Sequence, residues 1–238
     1  METKPVWSFS SIKTFIQCPK KYYHLKVKKD YEENFATEAI LYGNQFHKAA
    51  EDYVKGTVET LDPRFEYANE MLTKLKNMPG EKLCEHRMGL TSNLEPCSFY
   101  ATNVWYRGIA DLIVLDKDTG VAKIFDYKTG KSAQYADKGQ LELMALCVFT
   151  HFPEIKTVKA GLLFVVCNAL VREDYSVGNT AELWKKWGQE VNMDFTRLKE
   201  TIQKEKAIIE KINNLTNSQY NAVMFSNWVK PTGICQRT

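Results

Sequence analysis

A chain of 238 residues is long enough for one large domain or for a core carrying helical extensions. Its 44% hydrophobic and 26% charged residues are those of a soluble globular protein, and no stretch is apolar enough to span a membrane. A net charge of +3 excludes nucleic-acid binding through a global excess of charge, so any such binding needs local clusters. The six cysteines are scattered, with no CxxC, as expected of reduced thiols in a cytoplasmic protein. Cys147 and Cys167 sit in apolar runs and are expected as small core residues. No apolar segment of signal type follows Met1-Glu-Thr-Lys-Pro5, which again points to the cytoplasm.

Ser8 to Lys29 reads as a helix with Ser8 or Ser10 as N-cap and with Ile12, Phe15 and Ile16 at helical spacing. Pro19 breaks or restarts it. Lys20, Lys21, Lys26, Lys28 and Lys29 cluster nearby, although a charge run is usually a solvated face. A second helix is predicted over about Ala36–Lys55, with Ile40, Gly43, His47, Ala50 and Val54 on one face. A third covers Pro63–Asn77. Strands are predicted at Lys82–Leu90, Ser98–Tyr106, Ile109–Asp116 and Val121–Lys128. A helix follows over about Tyr135–Phe149, with Leu141, Met144, Ala145 and Val148 as its stripe. Strands at Val158–Cys167 and Leu170–Tyr175 come next, and Thr180 to about Met224 reads as mostly helical. With no clean linker, residues 1–238 form a single expected domain: a helical region 1–80, an α/β core 81–176 and a helical region 177–238. The fold class is α/β of the mixed, α+β kind, a central mixed sheet flanked by helices.

The chemistry centres on a hairpin. Asp116 pairs with Val121 across the turn Lys117-Asp118-Thr119-Gly120, and extending that ladder inward sets Asp111 opposite Asp126. Opposed carboxylates on a sheet repel each other, and they become useful around a divalent cation. Either acid alone is more often structural; the register makes the pair harder to dismiss. Lys128 lies two residues past Asp126 and shares its face, where it can orient a water and neutralise charge developing on a phosphate. The Tyr127 carbonyl between them offers a further oxygen ligand. Lys128-Thr129-Gly130-Lys131 lacks the spacing of a phosphate-binding loop. His47 lies on an apolar helix face, where a histidine is ordinarily a satisfied core residue, but Gly43 one turn earlier leaves room beside it for a metal. Gln140 points toward the core, as a buried polar residue or as a contact to phosphate or to Lys128. Glu85 reads equally as a third acid and as a solvent-facing strand residue.

Four ordered segments together resemble the PD-(D/E)XK nuclease superfamily, and more narrowly its RecB-type exonucleases, including CRISPR-associated and bacteriophage members. They are Ser8-Phe-Ser-Ser-Ile-Lys-Thr-Phe-Ile-Gln-Cys-Pro-Lys-Lys-Tyr-Tyr23, Gly43-Asn-Gln-Phe-His47, Gly108-Ile-Ala-Asp111 and Asp126-Tyr-Lys128. The resemblance implies a restriction-endonuclease-like core and a metal-dependent DNA exonuclease of recombination, repair or phage DNA processing. A structure-selective endonuclease and a non-catalytic DNA-end-binding module are the alternatives. It further implies that His47, Asp111 and Asp126 hold Mg²⁺ or Mn²⁺, that Lys128 positions the water, and that Gln140 fills the family's glutamine position. Met144 stands where the family usually has tyrosine. Lys20, Lys21, Tyr22, Tyr23 and Lys131 are implied DNA contacts, with DNA ends and a possible recombination protein as partners. Many relatives hold an iron–sulfur cluster through one N-terminal and three C-terminal cysteines. Cys18 matches the first, but only Cys235 lies near the end, so no cluster is expected. Cys18 is then a relic or packing residue, and Trp228 and Pro231 take over the cluster's structural work.

Overall fold

The computed structural model describes residues 6–32, 37–134, 136–188 and isolated positions between 200 and 210. The chain divides into two compact units, one of Met1–Phe9 and Asn34–Lys185, the other of Ser10–Glu33 and Lys186–Thr238.

The first unit is built on six strands: β1 (Glu81–Thr91), β2 (Pro96–Cys97), β3 (Val104–Asp116), β4 (Val121–Lys128), β5 (Thr157–Phe164) and β6 (Ala169–Ser176). They form one sheet in the order β2-β1-β3-β4-β5-β6. Every neighbouring pair is antiparallel except β4 and β5. A parallel pair needs a long crossover, and the helix Gly139–His151 provides it. The mixed sheet with flanking helices is the architecture expected from the sequence. Two further helices, Glu38–Lys55 and Asn69–Lys76, pack on the sheet through Phe46, Ala50, Leu72 and Leu75, which share a core with Leu112, Val114, Tyr127 and Leu163. The second unit, from Ser10 onward, takes in the rest of a short helix at Phe9–Gln17, a second at Pro19–Tyr22 and a π-helical turn at Tyr23–Lys28. In chain order the α-helices are therefore α1 (Phe9–Gln17), α2 (Pro19–Tyr22), α3 (Glu38–Lys55), α4 (Asn69–Lys76) and α5 (Gly139–His151).

Several local expectations change. The first part of the expected strand Ser98–Tyr106 is not a strand: the Ala101 amide bonds the Ser98 carbonyl and the Val104 amide bonds the Ala101 carbonyl, so the backbone up to Val104 is spent on turns. The strand starts at Val104 and runs through Gly108 without interruption. Pro63–Ala68 is a 3₁₀ turn, capped by Asp62, that leads into α4. The helix α5 starts at Gly139, where the Asp137 carboxylate accepts the Gly139 amide at 2.9 Å; Tyr135 lies outside the described residues. Ile40 is exposed, because the buried stripe of α3 is Phe46, Ala50, Tyr53 and Val54. Cys147 is buried as expected, but Cys167 is exposed. The strand β5 ends at Phe164 and Cys167 falls in the turn beyond it. Residues 180–188 are helical as expected; most of the expected helical region beyond, with Trp228, Pro231 and Cys235, lies outside the described residues.

In the second unit Pro19 separates α1 from α2, because it lacks an amide proton and sits at the first position of a new helix. Cys18 is the N-cap of α2, its Sγ accepting the Lys21 amide at 3.4 Å. Tyr22 is fully buried and meets Phe15 edge-on at 5.0 Å. Its ring therefore cannot stack on a base, which corrects its expected place among the DNA contacts. Lys20 and Lys21 are exposed and Tyr23 is partly so.

Candidate active site

The β3–β4 register is the expected one, from Asp116 opposite Val121 to Leu112 opposite Phe125. The regular ladder stops there, one step short of the two acids. Instead the Tyr127 amide donates to Asp111 Oδ2 at 2.6 Å. Asp111 thus occupies the place of a backbone acceptor, a charge-assisted bond that fixes its carboxylate beside the end of β4.

The pairing of β1 with β3 breaks at the same level. Cys84 pairs with Leu112 and His86 with Ala110, but Glu85 and Asp111 between them do not pair. Glu85 has φ 49°, the left-handed region that non-glycine residues rarely adopt. The consequence is a reversal of faces. Cys84 and Leu112 belong to the core beneath α3 and α4. Two residues later His86 meets Phe152, which follows α5, with ring centroids 5.8 Å apart. A side chain at Gly108 would likewise approach Met144 Sδ of α5, at 3.9 Å. The sheet changes face where the acids sit, and this turns Glu85 toward α3.

Helix α3 supplies the third member. Its N-cap Thr37 accepts the Ile40 amide at 3.3 Å, and Phe46 anchors the helix edge-on against Phe65 and Tyr127. That anchoring points the next residue, His47, at the kink, with Nδ1 3.2 Å from Asp111 Oδ1. Gly43 permits the approach: a Cβ there would lie 3.4 Å from Thr129 Oγ1, in the segment after Lys128. His47, Glu85 and Asp111 each bring a ligand atom within 4.8 Å of the others. They line a cleft of about 490 Å³ together with Lys48, Arg87 and Ile109.

A second group adjoins the first. Lys128 Nζ is 2.6 Å from Asp126 Oδ2 and donates to Gln140 Oε1 at 2.8 Å. Gln140 in turn donates through Nε2 to Asp126 Oδ1. Asp126, Lys128 and Gln140 form a closed ring, with the glutamine set by the first turn of α5. Met144 is buried on the same helix.

Among the described residues, Asp111 and Asp126 are the only buried charged side chains. Burial, and then the Asp111 charge, push the Asp126 carboxyl up to about 6, against the opposing pull of Lys128 and His47. Burial also raises Glu85, with Asp111 adding to it. Burial works to lower His47, but the hydrogen bond and charge of Asp111 outweigh it and leave His47 raised. Three acids and an imidazole held this close, in part against water, have the character of a cation site. One nitrogen and several carboxylate oxygens suit a hard or borderline divalent metal.

The sequence pattern of the PD-(D/E)XK nuclease superfamily matches residues 6–223, nearly the whole chain. The chain belongs to the PD-(D/E)XK nuclease superfamily. Nucleases of this superfamily use divalent metals, and the His47–Glu85–Asp111 cluster can accept one. A solved structure from Eubacterium rectale described as a "putative exonuclease" has the same fold, with a TM-score of 0.50 and 14% identity over 85% of this chain and 83% of its own. A second structure, named SSO0001, has a TM-score of 0.43 and 12% identity over 81% of this chain and 78% of its own, too loose a match to inform the fold. No curated protein matches the chain at a significant level. No helix among the described residues is long and apolar enough to cross a membrane.

The sequence-predicted residues of this nuclease fold fall in three places. His47, Asp111, Asp126, Lys128, Gln140 and Glu85 converge in the first unit. Lys131 is exposed a few residues past Lys128. Lys20, Lys21, Tyr22 and Tyr23 belong to the second unit. The pKa directions carry a testable consequence. Groups raised above their ordinary values hold protons that a cation must displace. Metal affinity is therefore expected to fall as pH drops through about 6, and calorimetry in buffers of different ionisation enthalpy should register proton release on binding. Affinity that stays flat between about pH 5 and 8 would contradict this.

Proposed function

We propose that the protein is a metal-dependent DNA exonuclease of the RecB-type group, acting on DNA ends in recombination, repair or phage DNA processing in the cytoplasm. The observation that carries this reading is the closeness of two groups, the cluster His47–Glu85–Asp111 and the ring Asp126–Lys128–Gln140, with the charges of Asp111 and His47 both acting on the Asp126 carboxyl. Mg²⁺ or Mn²⁺ would be held by His47, Asp111, Asp126 and the Tyr127 carbonyl, with Glu85 as an added acid. When bound, such a cation supplies Lewis-acid charge at phosphate oxygens and makes water acidic enough to attack at neutral pH.

The chain's own residues do the rest. Asp111 and Asp126 fix the acidic edge on which the phosphodiester is oriented. Lys128 holds an ammonium beside that edge, where it orients the attacking water and meets the negative charge that builds on the phosphorane. Gln140 accepts from Lys128 and donates to Asp126, so it locks both in one geometry before substrate arrives. Lys131, and Lys20, Lys21 and Tyr23 of the second unit, would contact the DNA backbone. No iron–sulfur cluster is part of this reading. A recombination protein remains a possible partner.

The test is an assay of the wild-type chain on end-labelled single- and double-stranded DNA with Mg²⁺ and with Mn²⁺, next to a circular single strand. Metal-dependent release of mononucleotides or short fragments from the linear substrates, with the circle intact, supports the reading. Cutting of the circle reassigns the protein as an endonuclease. Metal-independent DNA binding with no cleavage of any substrate leaves an end-binding module.

A further inference from the structure

The face reversal at Glu85 and Asp111 turns a second group of side chains toward the same cleft. Arg87 pairs with Ile109 and Gly89 with Arg107, so these four residues share one face of β1 and β3. Arg87 and Ile109 line the cleft beside His47 and Asp111. Over them lies the turn that replaced the first part of the expected strand. The Arg107 guanidinium is 5.1 Å from the centre of the Phe99 ring, and Arg87 is 5.8 Å from the rings of both Phe99 and Tyr100. Arg87 Nη1 also donates to Tyr100 Oη at 2.9 Å. The two rings meet edge-on at 5.0 Å.

Two properties make this more than loop packing. Tyr100 is 68% exposed, the most exposed large apolar or aromatic side chain among the described residues, so burial explains little of its presence. Neither arginine has an acidic partner among the described residues, so their charge stands open to a polyanion. Arg107 is four residues from Asp111 on one strand, a run of about 13 Å. The arrangement is an exposed tyrosine ring braced edge-on by Phe99 and edged by guanidinium groups, a short chain's length from the acids.

We propose that Phe99, Tyr100, Arg87 and Arg107 form a stacking platform that receives an unpaired base and its phosphates and leads single-stranded nucleic acid into the site. This rests on the nuclease reading above and adds to it the form of the substrate. Every base presents a π-face, so the platform binds without regard to sequence, and the arginines supply charge to adjoining phosphates. Paired bases inside a duplex cannot reach the ring.

The experiment measures the anisotropy of a labelled single-stranded oligothymidine in EDTA, so that cleavage does not intervene. A blunt duplex of several hundred base pairs serves as competitor. Tyr100→Ala is expected to weaken single-strand binding by about 5- to 100-fold, to leave duplex binding unchanged and to melt with the wild type. Tyr100→Phe keeps the ring and should bind like the wild type. The platform is overturned if Tyr100→Ala binds the single strand normally, if it loses duplex binding equally, or if Tyr100→Phe is as weak as Tyr100→Ala. Cleavage by the wild type with Mg²⁺ or Mn²⁺ is measured in parallel. A wild type that binds through Tyr100 but never cleaves keeps the platform and sinks the nuclease reading. A wild type that cleaves, beside a Tyr100→Ala of normal affinity, sinks the platform alone.

Discussion

Asp111→Asn is expected to lower the cleavage rate by about a hundredfold to a thousandfold and metal affinity by at least about tenfold, while the metal-free protein melts no lower than the wild type. The three effects share one cause. The amide oxygen of asparagine can still accept the Tyr127 proton that Asp111 Oδ2 now takes at 2.6 Å, so the end of β4 keeps its anchor. What disappears is a buried negative charge. That charge raises Asp126 and Glu85, so removing it relieves repulsion among the acids. It is also the charge that His47 faces at 3.2 Å, within the cluster that Asp111 forms with His47 and Glu85. A site that costs stability and gains function when a cation binds is the usual compromise of an active site. Single-turnover cleavage, metal calorimetry and thermal melting together check the set. A variant that cuts at the wild-type rate would remove Asp111 from the site, and one that simply unfolds would make it structural.

Lys128→Ala is expected to reduce cleavage by about a hundredfold to ten-thousandfold but, unlike Asp111→Asn, to leave metal affinity at or above the wild-type level at a pH well above the range in which Asp126 titrates. Lys128 lies 2.6 Å from Asp126 Oδ2 and so competes with any cation for that carboxylate. Removing it frees the oxygen for metal, and takes away the ammonium that meets charge on the phosphorane. Asp126 loses one of the groups that lower its pKa, so its proton is held still more firmly and metal binding should shift to higher pH. DNA affinity in EDTA should change little, because one lysine is a small part of a backbone contact. The decisive comparison is the ratio of cleavage to metal affinity in the two variants. If Lys128→Ala loses both together, the lysine holds the site's structure and does not act on the substrate.

Much of the site was legible along the chain because it depends on local register. A hairpin turn fixes pairing, and the ladder from Asp116 and Val121 to Leu112 and Phe125 follows from counting residues. The parity of strands put Lys128 with Asp126, and helical periodicity put His47 one turn from Gly43. Gln140 was legible as pointing inward, but its partners were not. Its bonds to Lys128 and Asp126 join a helix to a strand it follows, and no spacing encodes that distance. Glu85 was ambiguous for a different reason. Alternation alone cannot place a residue at which alternation reverses, and its φ of 49° is stabilised only by the surrounding sheet. Phe99, Tyr100, Arg87 and Arg107 escaped notice for the same cause. Their stretch looks like part of an alternating strand, and only the turn backbone lifts the rings over the arginines. Tyr22 shows the opposite error: a tyrosine beside lysines suggests a nucleic-acid contact, and its ring is core.

The order of motifs, from Gly43 and His47 through Asp111 to Asp126 and Lys128, was enough by itself to determine the superfamily and its mixed sheet. That order reflects which strand and helix each group rides on, and those elements follow from local periodicity and turn chemistry. Only the tertiary structure decided that Glu85 stands beside His47 and Asp111, that Asp126 closes a ring with Lys128 and Gln140, and that an exposed cationic–aromatic surface continues from the same cleft. Each of these depends on backbone that departs from its own local rule, and such departures persist only where packing from distant parts of the chain holds them in place.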